Sequence, residues 1–309
     1  MALKEQLSLL KESAQGFIDD DCPTQAAALS YYTIFSLPPL LMVILLILGV
    51  LVDPQDLRGQ LELQMGALMG PSATEQIRSI LSQLHAPGAG GLLPTLLSVG
   101  ALVLGATGAF GQLQAALNKA WEVTPDPNQG GIKAFLIKRV FSFGMILSVA
   151  FLLLVSLVVS AALGAFGGAL GRFLPDGIST VLLQVLNLVV SFAVITALFA
   201  AIFKVLPDAT VAWRDVWVGA AATALLFVIG KFLIGFYLGR SNPGQAFGAA
   251  GSLAVLFVWV YYSSMILLFG AEYTQSWAVH RGSGIVPEQG AVRVRKMTQR
   301  LSGGKTAVA

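Results

Sequence analysis

The sequence is poor in charge, cysteine and histidine. Only 11% of its 309 residues are charged, whereas soluble domains usually carry about a quarter. The single cysteine, Cys22, excludes an internal disulfide framework. The two histidines, His85 and His280, fall at opposite sides of the predicted membrane bundle, so they cannot form a paired catalytic or metal site.

The sequence is rich in long apolar segments. Hydrophobic residues make up 56% of the chain, and long apolar runs recur along most of it. A helix needs about 20 such residues to cross a hydrocarbon core of about 30 Å. The sequence predicts six spans, near residues 24–52, 92–116, 136–168, 178–203, 214–239 and 248–273. The predicted fold class is therefore all-α, a polytopic membrane protein with six transmembrane helices.

Three regions follow from this pattern. Residues 1–22 predict an interfacial amphipathic helix, whose apolar side chains recur at helical spacing. These are Leu3, Leu7, Leu10, Ala14 and Phe17. Residues 23–280 form the predicted transmembrane domain, with two short helices expected in the first outer loop, at 54–85. Residues 281–309 are basic and rich in glycine, which predicts a disordered cytosolic tail.

Lysine and arginine predict the orientation of the chain. They are concentrated in the segments that share one side of the membrane with the N-terminus, and they are sparse in the alternate segments. Cytoplasmic loops carry an excess of these residues. Both termini are therefore predicted to be cytosolic.

Polar residues inside the apolar spans are the candidate site. An unpaired polar group is costly in hydrocarbon, so such side chains are expected to turn toward the interior of the bundle. We expect them to line one cavity or substrate path. The candidates are Tyr31, Tyr32, Pro38, Asn118, Gln184, Asn187, Lys231, Tyr261, Tyr262 and Glu272.

Pro38 and Pro39 are expected to bend the first span. Each proline removes a backbone donor, which frees the carbonyl groups near Ile34 and Phe35. Broken helices in membrane proteins commonly line cavities.

Two charged candidates have competing interpretations. Lys231 is expected either to extend toward the outer interface or to contact a substrate. Glu272 is expected either to form an ion pair with Lys138 or Arg139, or to serve a proton or substrate role.

Glycines on the fifth span predict close helix packing. Gly235 and Gly239 recur four residues apart, so they share one face of the helix. Small residues at this spacing allow two helix backbones to approach closely.

Four stretches resemble a known family. They are "AAALSYYTIFSLPPLL" near the start, "QAALNKAWEV" at 114–123, "FKVLPDATVAWRDVWVGA" at 203–220 and "GSLAVLFVWVYYSSMILLFGAEYTQ" at 251–275. Together and in this order they resemble the YihY/virulence factor BrkB family. The resemblance implies a six-helix bacterial inner-membrane protein. Some members were mislabelled ribonuclease BN, others are associated with serum resistance, and movement of lipid precursors has been suggested for the family.

The residues themselves argue against an enzyme. A nuclease needs carboxylates or histidines that converge on a metal or a proton. The run Asp19, Asp20, Asp21 is better explained as solvated charge, because consecutive residues do not converge on one ion. The sequence lacks a Walker A motif and a dinucleotide fingerprint. We therefore expect no cofactor, no bound metal and no nucleic-acid partner.

Two functions remain in competition. The first is a transporter or flippase that moves an amphipathic substrate, a lipid or lipid-linked precursor, without nucleotide hydrolysis. The alternative is a non-transporting membrane scaffold or envelope-integrity factor that recruits partners through the first helix and the basic tail. Membrane lipids are expected partners in both cases. An ion channel is disfavoured because the sequence shows no ring of charges and no filter-like loop.

Overall fold

The structure is a computed structural model that describes residues 3–48, 92–126, 178–241 and 251–294, together with Gly59, Glu62 and Arg78. The described helices are α1 (Leu3–Asp19), α2 (Cys22–Leu48), α3 (Leu92–Ala120), α4 (Ile178–Val205), α5 (Trp213–Ser241) and α6 (Gly251–Arg281). The described strands are β1 (Val123–Pro125), β2 (Ala209–Thr210), β3 (Val286–Pro287) and β4 (Ala291–Arg293).

Five of these helices fall where the sequence predicts a membrane span. By length and composition, three of them contain a segment able to cross a membrane: Leu188–Val205, Trp213–Tyr237 and Leu253–Arg281. The predicted span 136–168 and nearly all of the predicted outer-loop helices at 54–85 lie outside the described residues. The total of six spans therefore stays a prediction.

Local sequence explains where α2 begins. Asp21 adopts a left-handed backbone conformation with φ of 54°, which separates α2 from α1. Its side chain accepts a hydrogen bond from the Thr24 hydroxyl at 2.9 Å. A carboxylate at this position also interacts favourably with the positive end of the helix dipole. Pro23 fits the first turn because the N–H that it lacks has no partner within the helix.

The helices pack as an up-and-down bundle. The pairs α2 and α3, α4 and α5, α5 and α6, and α2 and α6 are the neighbours with the most extensive contact. Four segments meet at one end of the bundle: the chain after α3, the α4–α5 connection, the start of α5 and the chain after α6. We call this end the sheet end, because two small antiparallel sheets form there, β1 with β4 and β2 with β3.

The chain after α6 corrects the predicted disordered tail. Thr124 of β1 pairs with Val292 of β4, and Thr210 of β2 pairs with Val286 of β3. The prediction of disorder is therefore wrong for residues 282–294, while residues 295–309 lie outside the described part of the chain. Composition failed here because the strands are only two or three residues long and gain their order from partners distant in sequence.

The largest described hydrophobic cluster also lies toward the sheet end. Trp121 and Phe203 are fully buried in it, with ring centroids 5.8 Å apart in an edge-to-face arrangement. Phe199 and Phe227 extend the cluster into α4 and α5. Aromatic pairs in this geometry contribute about 0.5–1.5 kcal/mol beyond their buried area.

Close approach of α5 and α6 depends on a pair of glycines that the sequence analysis did not single out. Thr274 packs against Gly219, and Thr223 packs against Gly270. At Gly235, a β-carbon would meet no atom of the described residues within 4 Å. The predicted packing role of Gly235 stays a prediction, because the predicted third span lies outside the described residues.

Helix α1 packs along the last turns of α6. Phe17 contacts Phe269 at 5.9 Å, and the Glu12 carboxylate lies 3.4 Å from the His280 ring. Leu9 and Ser13 are buried at this contact, whereas Leu7 is 62% exposed. The structure has a helix at Leu3–Asp19, in which Phe17 packs inward while Leu7 and Leu10 are exposed, and the predicted amphipathic interfacial helix is not confirmed by this. Its position at the membrane interface stays a prediction.

The proline pair does not interrupt α2. The helix runs from Cys22 to Leu48 through both Pro38 and Pro39. Nearby, the Ser36 hydroxyl donates to the Thr33 carbonyl at 2.8 Å. A bend in this helix remains an expectation.

Candidate functional site

A buried amide–carboxylate network joins α3 to the connection between α4 and α5. Asn118 Nδ2 donates to Asp208 Oδ2 at 2.9 Å, and the Asp208 backbone N–H donates to Asn118 Oδ1 at 2.8 Å. Gln114 Nε2 donates to Asp208 Oδ1 at 3.1 Å. We call these three residues the Asp208 network. Because Asn118 is 6% exposed and Asp208 8% exposed, the network is sheltered from solvent.

Local sequence places the three side chains together. Gln114 and Asn118 are four residues apart on α3, so they lie on one face of the helix. Helix α4 ends at Val205, just before Leu206 and Pro207, where proline disfavours the helical conformation. The turn that follows presents Asp208 to α3, and the Asp208 carbonyl accepts the N–H of Glu288 at 3.0 Å.

A half-open cavity of about 500 Å³ lies against this network. We call it the network cavity. Its described lining comes from α3, from β1 and its preceding turn, from the α4–α5 connection and from the segment just after β4. The lining residues are Gly111, Gln114, Ala115, Asn118, Lys119, Glu122, Val123, Thr124, Pro125, Asp208 and Val294. Ligand cavities of about 300–1,000 Å³ are typical of small-molecule sites.

The lining of the network cavity combines charged side chains of both signs with apolar side chains. Lys119 supplies a cation, and Glu122 and Asp208 supply carboxylates. The Glu122 carboxylate lies 4.0 Å from the Arg293 guanidinium. Ala115, Val123 and Val294 form apolar parts of the same wall. Such a surface is chemically suited to a molecule with a polar headgroup and an apolar body.

Of the eight predicted site residues whose side chains the structure describes, Asn118 is the one that lines the network cavity. Glu272 is 3% exposed and lies apart from that lining, against Gly16 of α1 and the Cys22 thiol, whose Sγ donates to Oε1 at 3.7 Å. The predicted partners Lys138 and Arg139 lie outside the described residues, so that ion pair stays a prediction.

The tyrosines of α2 lie elsewhere. Tyr31 is 54% exposed, and its ring contacts Phe35 at 4.7 Å and Tyr32 at 5.6 Å. The Tyr32 ring covers Gly108 of α3, whose missing side chain makes room for it. Pro38 is half-buried in α2. These three residues belong to helix packing and to the bundle surface in the described structure.

Another group lies between α5 and α6. Tyr261 and Tyr262 line a groove together with Tyr237. Lys231 and Tyr262 share a smaller depression with Ser263. The described residues thus bring Lys231 and Tyr262 together but keep them apart from the Asp208 network.

Two predicted residues are described only in their backbone. Gln184 and Asn187 belong to α4, while their side chains lie outside the described set. Their predicted role in a cavity stays a prediction.

Sequence reasoning missed the acidic member of the site. Asp208 was not among the candidates because it lies five residues beyond the predicted fourth span, in the connection to the fifth. A usable signal was present, since a carboxylate directly after Leu206 and Pro207 is adjacent to an apolar helix end and needs a hydrogen-bond partner if buried. Gln114 stood on the polar face of the second predicted span but was not singled out as a site residue.

The described residues contain no group of three or more histidine, cysteine, aspartate or glutamate side chains arranged to hold a metal ion.

Comparison with known proteins establishes the family. The family model described as virulence factor BrkB matches residues 13–293, and the chain belongs to this family of membrane proteins. All three residues of the Asp208 network fall within the matched region. No solved structure matches the chain.

Several curated relatives carry the name UPF0761 membrane protein. One from Alcanivorax borkumensis is 28% identical over 85% of this chain and 58% of its own length. Another, from Psychromonas ingrahamii, is 27% identical over 82% of each chain. A third, from Pseudomonas aeruginosa, is 30% identical over 84% of this chain and 60% of its own length. The chain thus spans about three fifths of the first and third relatives.

Proposed function

We propose that this membrane protein binds an amphipathic lipid or lipid-linked substrate and moves it across the membrane without hydrolysing nucleotide. The observation that carries the proposal is the network cavity of about 500 Å³, where a buried amide–carboxylate network and apolar wall meet at one end of a helical bundle.

The polar and the apolar parts of the cavity would bind different parts of the substrate. The headgroup would lie among Asn118, Lys119 and Glu122, where it can meet donors, an acceptor and both signs of charge. The apolar body would lie against Ala115 and Val294. The Asp208 network would hold this wall in place, because its amides and carboxylate satisfy one another when the cavity is empty.

The proposed location is the bacterial inner membrane, with both termini in the cytosol. This assignment rests on the distribution of lysine and arginine along the chain. It places the sheet end and the network cavity on the cytosolic side, so a substrate would reach the cavity from the inner leaflet.

Transport by the purified protein in vesicles tests the proposal. The assay follows a fluorescent phospholipid in the inner and outer leaflets of proteoliposomes, in the absence of nucleotide. Vesicles with protein should exchange lipid between leaflets faster than empty vesicles, and Asn118→Leu should slow this exchange. Gln15→Leu changes an exposed amide on α1 and serves as the matched control. Equal rates with and without protein would overturn the proposal.

A scaffold remains the second candidate because of one observation on α1. Leu7 is 62% and Leu10 is 47% exposed on the outer face of this helix, which leaves an apolar surface for a partner. Lys119→Gln and Glu122→Gln, which change charged residues lining the network cavity, separate the two functions. A scaffold should tolerate both changes, whereas a transporter should lose transport while its helical content and elution profile stay unchanged.

A further inference from the structure

A second cavity lies in the groove between α5 and α6, away from the network cavity. It has a volume of about 430 Å³. We call it the tyrosine groove. Its lining residues are Leu233, Ile234, Tyr237, Val258, Tyr261, Tyr262 and Met265.

The groove lies on the outer surface of two helices that are long and apolar enough to cross a membrane. Leu233 is 60% exposed and Tyr237 is 56% exposed, so the groove faces away from the bundle interior. On such a surface in a bilayer, the surrounding medium is hydrocarbon.

The face of α5 that lines the groove also carries a cationic residue, Arg240, in the last turn of the helix. Leu233, Tyr237 and Arg240 are spaced at i, i+4 and i+7, so they lie on one side of the helix. Arg240 is therefore about 10 Å beyond Leu233 along the helix axis. Its guanidinium carbon lies 4.2 Å from the centre of the ring of Phe236, one turn earlier on α5.

We propose that the tyrosine groove binds an acyl chain of one phospholipid whose phosphate lies at Arg240. Arginine presents a planar set of donors that matches phosphate oxygens, and a net negative headgroup adds attraction. The chain would lie along Leu233 and Val258, with the tyrosine hydroxyls near the glycerol region or along the groove wall. This lipid site is independent of transport, so a failure of the transport assay leaves it standing.

Photolabelling tests where the lipid lies. The probe is phosphatidylglycerol with a diazirine on one acyl chain, added to the full-length protein in mixed micelles. Labelling should concentrate on peptides that contain residues 233–237 and 258–265. Val258→Trp fills the groove and should reduce that labelling about three- to tenfold, whereas Val279→Trp, an exposed valine at the other end of α6, should leave it unchanged.

Native mass spectrometry tests the headgroup contact with a milder change. Arg240→Gln should weaken retention of phosphatidylglycerol about three- to tenfold relative to wild type. Arg214→Gln removes an exposed arginine from the opposite end of α5 and should retain the lipid as wild type does. Melting temperatures and elution profiles confirm that each variant is folded.

Several outcomes would overturn the proposal. Labelling spread evenly over the apolar surface, or labelling of the groove that Val258→Trp leaves unchanged, means that the groove binds no particular lipid. Equal retention of phosphatidylglycerol by the Arg240 and Arg214 variants would show that Arg240 does not bind the headgroup. Crosslinked peptides that join α5 and α6 of two copies of the chain would assign the groove to self-association.

Discussion

Thr274 of α6 lies directly against Gly219 of α5, with its β-carbon 2.7 Å from the position that a β-carbon on Gly219 would take. The reverse contact places the Thr223 β-carbon 2.8 Å from the corresponding position at Gly270. Each threonine hydroxyl donates to the carbonyl four residues earlier, so the buried hydroxyls are satisfied within their own helices. The two helices therefore meet through a reciprocal glycine–threonine contact that leaves no space for another methyl group.

Alanine at either glycine should destabilise the bundle. In Gly219→Ala the added methyl group would collide with Thr274, and overpacking of this kind costs about 1–3 kcal/mol. Thermal unfolding in detergent, followed by tryptophan fluorescence, should show a lower melting temperature. Gly235→Ala is the matched control on the same helix, since a β-carbon there meets no atom of the described part of the chain within 4 Å and alanine favours helix by about 0.5–1 kcal/mol. Equal melting temperatures for the two variants would contradict the predicted collision.

The Asp208 network yields a second stability prediction. Asn118→Leu removes both hydrogen bonds to Asp208 and leaves buried polar groups without that partner. Such a loss costs about 1–3 kcal/mol, and more where a charged group is involved. The measured quantity is the midpoint of denaturant unfolding. Thr124→Val replaces a cavity-lining hydroxyl outside the network with a methyl group of similar size. The unfolding midpoint of this variant should equal that of the wild type within error. A wild-type midpoint for Asn118→Leu would show that the network adds little stability.

The helical part of the fold was predictable because membrane spans are long and locally encoded. The helices α2, α3, α4 and α5 begin and end within about four residues of the predicted spans, whereas α6 continues eight residues past its predicted end. Local hydrophobicity sets these limits, and no distant partner is needed to recognise them. The short strands β3 and β4 are the opposite case, since each forms only through pairing with a segment far away in sequence.

The site was predictable only in part for the same physical reason. A polar side chain within an apolar run or just past its end is conspicuous, which is how Asn118, two residues beyond the predicted second span, was found. The sequence pattern does not reveal that Asp208, ninety residues away, supplies its hydrogen-bond partner. Polar residues that serve helix packing look the same in sequence: Gln112 donates to Gln25 of α2 at 2.6 Å and lies outside the lining of the network cavity.

Trp121 offers a prediction that separates packing from hydrogen bonding. Its side chain is 1% exposed, and its indole nitrogen has no hydrogen-bond partner among the residues that the structure describes. Trp121→Phe keeps an aromatic ring beside Phe203 and removes the unpaired donor, so the loss of stability should be small. Trp121→Ala opens a cavity in the core and should cost about 3–5 kcal/mol. Thermal unfolding of the two variants measures the difference, and a similar loss in both would mean that the indole N–H is essential.

The buried cysteine makes the predicted topology directly measurable. Cys22 is 2% exposed, so a membrane-impermeant maleimide should not label the folded wild-type protein. Ser8→Cys introduces a thiol at an exposed position of α1, and Arg78→Cys introduces one at an exposed position in the first predicted outer loop. If the N-terminus is cytosolic, intact spheroplasts should label Arg78→Cys but not Ser8→Cys, and lysis should expose Ser8→Cys.

Wild-type protein unfolded in dodecyl sulfate is the control for these experiments, because Cys22 should then react fully and show that its protection comes from the fold. Both variants should also react fully in the detergent. Labelling of Ser8→Cys from outside intact spheroplasts would show that the orientation is opposite to the predicted one. The sheet end would then lie outside, because α1 packs on the last turns of α6 at that end. A substrate would in that case approach the network cavity from the outer leaflet, so this one measurement also determines the side from which the cavity is loaded.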